Sequence, residues 1–141
     1  MKHPLHPALV HVPVACWLLA PLADFGALLR WPEQLALASA GLAGIGCAFG
    51  LLAAGAGMFE LVKLGPEHPA SRTAMRHMGC ALLTWCLFAA SLVLRARDGA
   101  WGVAGPAVLA LDAAGLLGVL ITGWLGGTLV YDYGVGVRER A

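Results

Sequence analysis

The residues best equipped for chemistry in this chain are histidines. Three of the five stand in the first eleven positions, Met1-Lys-His-Pro-Leu-His-Pro-Ala-Leu-Val-His11. Proline fixes φ and lacks an N–H, so it suits the first turn of a helix, and Pro7 reads as a helix start. His6 then stands just outside that helix and His11 about one turn inside it. An ionisable group carried below a membrane surface is costly and marks a candidate functional site. His77 opens a later apolar run, and His68 lies in the polar segment before it.

Three chemistries could use this cluster. The first is one b-type haem held by imidazoles from two helices, His11 and His77, because helix bundles host cofactors between facing helices. Gly55, Gly57, Gly123, Gly126 and Gly127 lie at matching depth and leave room for a macrocycle, which Trp17, Trp85 or Trp124 could line. A bis-histidine iron has no open position, which favours electron transfer over independent catalysis. The second is a transition-metal site built from His3, His6 and His11 with Glu60, supported by His68 and Asp132. The third is a structural or accessory subunit with no cofactor. There the same groups cap helix ends, and Gly46 and Gly50 offer a face for a partner helix. At the other end of the chain's helices, Asp24 and Asp112 are expected to form an ion pair with Arg95.

The elements that must position these residues are set by hydropathy. Hydrophobic residues make up 60% of the 141 and charged residues only 12%. Soluble domains carry about 25% charged residues, so a membrane protein is expected. A net charge of +1 without a basic stripe argues against nucleic acid as a partner. Cys16, Cys47, Cys80 and Cys86 fall in apolar runs and read as small buried hydrophobes. No Cys-x-x-Cys-His sequence exists, which excludes covalent c-type haem attachment.

A span needs about 20 mostly apolar residues. Four such stretches predict helices near 7–29, 35–61, 74–95 and 105–131, in a single-domain, all-α, antiparallel transmembrane bundle without strands. Glu60 closes the second. Pro13 and Pro21 lie inside the first. No internal repeat or linker stands out. Four spans put both termini on one side, with Lys2, Lys63, Arg72, Arg76, Arg138 and Arg140. Arg30, Arg95 and Arg97 fall opposite, so the positive-inside rule places both termini in the cytoplasm. All five histidines gather at that same end. Lipid, with a redox partner protein or a second copy of the chain, is the expected company.

Two stretches resemble a known family. They are His3-Pro-Leu-His6-Pro-Ala-Leu-Val-His11-Val-Pro13 at the front and Gly123-Trp-Leu-Gly126-Gly127-Thr-Leu-Val-Tyr131-Asp-Tyr-Gly134-Val-Gly136-Val at the back. They look like the paired signatures of a bacterial membrane family, domain-of-unknown-function family two-two-three-one. Gly57-Met-Phe-Glu60 resembles that family's ending of its second helix. The resemblance covers essentially the whole chain. It implies a four-span bacterial inner-membrane domain, fused in some relatives to Rieske or cytochrome c modules, and hence redox work. Thr128 and Asp132-Tyr133 depart from the family pattern, where Glu and Arg-His are common.

Overall fold

A computed structural model describes residues 5–97 and 101–137. His3, Lys2, Arg138 and Arg140 lie outside the described residues. Four helices follow in order: α1 (Leu5–Ala27), α2 (Pro32–Leu64), α3 (Ser71–Arg97) and α4 (Pro106–Tyr131). Each is long and apolar enough to cross a membrane, and no strand occurs among the described residues.

Apart from Tyr131, which ends α4 where hydropathy puts it, the helix ends differ from the hydropathic bounds by one to three residues because caps, not apolarity, set them. Pro32 and Pro106 occupy first-turn positions, where a missing N–H costs nothing. Glu60 does not end α2. The helix runs on to Leu64 and stops at Gly65, whose φ of 77° favours glycine and whose N–H reaches the Leu61 carbonyl. The Ser71 hydroxyl donates to the Gly65 carbonyl, and the Ser71 N–H donates to His68 O at 2.9 Å, which closes the turn that starts α3.

The helices form a closed square in which α1 packs on α2, α2 on α3, α3 on α4 and α4 on α1. The tightest interfaces are within the α1–α2 and α3–α4 hairpins. Trp17, Ala20, Ala43, Cys47, Phe88 and Val119 make the core. Large apolar side chains such as Leu19, Leu51, Leu83 and Leu120 cover the outside, the surface that a bilayer solvates.

Glycines admit the central aromatics. The rings of Trp17 and Phe88 stack with centroids 5.2 Å apart and planes 1° from parallel. A Cβ placed on Gly46 would lie 2.5 Å from Trp17 Nε1, and one on Gly50 would lie 2.8 Å from Trp17 Cη2. The Gly46/Gly50 pair therefore seats α1 on α2. It is not a face free for a partner helix.

The two hairpins also repeat one plan. Trp17 and Asp24 stand eleven and eighteen residues after His6, and Phe88 and Arg95 stand eleven and eighteen after His77. Those spacings are close to whole numbers of turns, so each trio lies on one helix stripe. The repeat lives in position rather than in residue type.

Candidate functional site

His6 and His77 are the histidines that the fold turns inward. Both come from the first turns of an odd-numbered helix and both reach across to the next helix. His6 Nδ1 lies 2.8 Å from Ala53 O on α2, and His77 Nδ1 lies 3.0 Å from Thr122 O on α4. A carbonyl can only accept, so Nδ1 carries the proton in each ring and a neutral imidazole keeps its lone pair on Nε2. Neither Nε2 makes a hydrogen bond to the described residues. The ring centroids are 6.0 Å apart and the planes stand at 86°.

Each ring also rests on a glycine four residues beyond the carbonyl that holds it. A Cβ on Gly57 would lie 2.9 Å from His6 Nδ1, and one on Gly126 would lie 3.3 Å from His77 Cε1. At Gly57 only hydrogen lets the imidazole lie so close to the backbone, while at Gly126 a methyl would press the ring back by a few tenths of an ångström.

The histidines border a cavity of about 370 Å³ whose walls include Trp17, Gly57, Glu60, Trp85 and Gly126. Its lining is mainly apolar, and side chains of all four helices contribute. Trp85 is fixed by its Nε1–H, which donates to Cys47 O at 2.9 Å. A large apolar cavity with few convergent polar groups is the usual form of a cofactor site.

The other candidate residues fall elsewhere. His11 is exposed, and its Nδ1 approaches only Ala8 O of its own helix at 3.4 Å, so it is not brought to His77. Five residues of helix turn through about 500°, and His6 and His11 therefore cannot both face the bundle. His68 stays in the α2–α3 loop, where its Nδ1 accepts the Ala70 N–H at 3.1 Å. Asp132 is exposed and caps α4 through its backbone N–H to Thr128 O at 3.0 Å. Trp124 is 72% exposed and faces outward rather than into the cavity. Among the described residues, no three His, Cys, Asp or Glu side chains gather as a metal ion would require, so His6, His11 and Glu60 form no such cluster. His3, the remaining member of that set, lies outside the described residues.

At the far end, Arg95 Nη2 bridges Asp24 Oδ2 and, at 3.0 Å, Asp112 Oδ2. Ser39 joins them by donating its hydroxyl to Asp24 at 2.5 Å.

Sequence reasoning missed the role of His6 as the inward-facing ring. The signal was present in the eleven-residue step from His6 to Trp17, which puts the histidine on the stripe of the core tryptophan.

No curated protein and no solved structure matches this sequence. A family model does, over residues 2–139, and that span includes both histidines, their carbonyl and glycine seats and the Arg95 cluster. The chain belongs to the DUF2231 family, described as predicted membrane proteins.

Proposed function

We propose that this protein is a bacterial inner-membrane electron carrier that holds one b-type haem between His6 and His77. The observation that carries the reading is the pair of pinned imidazoles beside an apolar cavity, each with Nδ1 committed to a carbonyl and Nε2 without a partner among the described residues. Ligating histidines characteristically donate their other N–H to such a partner, which fixes both tautomer and ring orientation. The two ring centres lie 6.0 Å apart, so a group held by both would sit where the hairpins meet.

Haem would supply a one-electron iron couple. The chain's part is to hold and shield it. Ala53 and Thr122 orient the rings, Gly57 and Gly126 admit them, and Trp17 and Trp85 help to exclude water. His6 and His77 would hold the haem, which would then serve electron exchange with a partner rather than independent catalysis. Both termini are cytoplasmic in this reading. Arg95 is buried, so six basic residues at the histidine end face only Arg30 and Arg97 opposite.

Absorption spectra of detergent-purified protein, oxidised and dithionite-reduced, test the proposal after expression with ample haem. Bands of a low-spin b haem are expected, and a flat spectrum ends it. One observation favours a second reading. The same hydrogen bonds tie α1 to α2 and α3 to α4 without any ligand, as a purely structural subunit would need. That version predicts no metal on elemental analysis.

A further inference from the structure

Eighteen residues of α3, about 27 Å of helix, separate His77 from Arg95, so the two polar sites lie near opposite ends of the bundle. Each helix sends one group to the far site: Asp24 from α1, Ser39 from α2, Arg95 from α3 and Asp112 from α4. All four are sealed from solvent, with exposures of 0%, 0%, 2% and 1% respectively. Ser91, one turn before Arg95, is also fully buried. Among the described residues, Asp24, Arg95 and Asp112 are the charged or titratable groups that meet there.

Their charges do not balance. Two carboxylates against one guanidinium leave a net negative charge in a buried site, which is strongly unfavourable. A second clue lies in the unused valences. Arg95 Nε and Nη1, Asp24 Oδ1, Asp112 Oδ1 and Ser91 Oγ are all buried without a hydrogen-bond partner among the described residues. The guanidinium's own orphaned N–H donors disfavour a metal cation as the missing charge, because it would add like charge and accept nothing. Water both accepts and donates, and a proton is the smallest neutralising charge.

We propose that the Arg95 cluster is a binding site for one proton and bridging water, with the proton held on Asp112. Asp24 already receives two donors, the Ser39 hydroxyl and Arg95, whereas Asp112 receives Arg95 at 3.0 Å, with the Ser91 hydroxyl near it but not in hydrogen-bond geometry. Donors stabilise the anion, so Asp24 is the carboxylate and Asp112 the acid. A protonated Asp112 also gains an O–H with which to satisfy one of the neighbouring unpaired acceptors.

Infrared spectroscopy of the full chain in lipid nanodiscs at neutral pH tests this. A carboxylic-acid carbonyl band that shifts in heavy water is expected, and it should survive Glu60→Gln. It should vanish in Asp112→Asn and in Asp24→Asn, because either change leaves one carboxylate matched to Arg95. It should move in Asp112→Glu and stay in Asp24→Glu. Absence of the band from the unaltered protein overturns the proposal, as does its loss in Glu60→Gln. A band that moves with Asp24→Glu instead overturns the assignment to Asp112. Should either Asn variant fail to fold, the heavy-water shift, Glu60→Gln and Asp112→Glu still decide the question.

Discussion

The imidazoles of His6 and His77 meet across the bundle with ring centres 6.0 Å apart and planes nearly perpendicular, each fixed through Nδ1 to the backbone of the next helix. Each hairpin contributes one half of this arrangement. The two rings therefore come together only where the two hairpins meet, and the cavity is a product of tertiary assembly rather than of one segment.

The first prediction concerns the proposed haem ligands. His6→Ala and His77→Ala should each lower the haem-to-protein absorbance ratio by roughly tenfold or more, while His11→Ala leaves it unchanged. Gly57→Ala should also lower it, since the new methyl meets the His6 ring at 2.9 Å, and Gly126→Ala less so at 3.3 Å. Retention of haem in His6→Ala with loss in His11→Ala would return the site to the deeper histidine.

Much of the fold could be read from hydropathy, because four apolar stretches of spanning length leave few architectures. The ends were harder. Pro32, Ser71 and Gly65 set them by capping, and a hydropathic window does not see caps. His77 turns inward, but the sequence reading pairs it with His11 and keeps His6 for the metal set, because depth along a helix says nothing of angle around the axis. The internal repetition escaped for a chemical reason. Trp17 answers to Phe88 and Asp24 to Arg95, so the matched positions keep their role in packing or pairing while the residue changes.

The second prediction concerns the Arg95 cluster. Removing one member of a buried ion pair leaves an uncompensated charge and costs about 3–5 kcal/mol. Arg95→Ala should reach that range, because it leaves the buried Asp24 carboxylate without its cation. Ser39→Ala should cost about 1–3 kcal/mol, the usual toll of a lost buried hydrogen bond to a charged group. Reversible unfolding in mixed detergent measures both, and equal effects for the two variants would contradict the ordering.

Topology gives the third. With the native cysteines replaced, single cysteines at Arg30 and Glu67 should react with a membrane-impermeant maleimide from opposite sides. The α1–α2 turn and the α2–α3 loop are separated by the whole of α2, a helix long enough to span. Labelling of both from one side would sink the four-span arrangement.

The fourth prediction tests whether the two hairpins are joined through their aromatic centre. Gly46→Ala places a methyl 2.5 Å from Trp17, and Gly115→Ala places one 2.7 Å from Phe88. Neither ring can retreat freely, because the two rings stack on each other. Overpacking of this kind costs about 1–3 kcal/mol per site, offset in part by the better helix propensity of alanine, worth up to about 1 kcal/mol. Controls at Gly41 and Gly44, where an added Cβ meets nothing, should be neutral or stabilising. The double variant carries the information. If one substitution has already displaced the stacked pair, the second should cost less than it does alone, with a coupling of about 0.5–3 kcal/mol. Strict additivity in unfolding free energy would mean that Trp17 and Phe88 adjust independently, and that the hairpins communicate by some other contact.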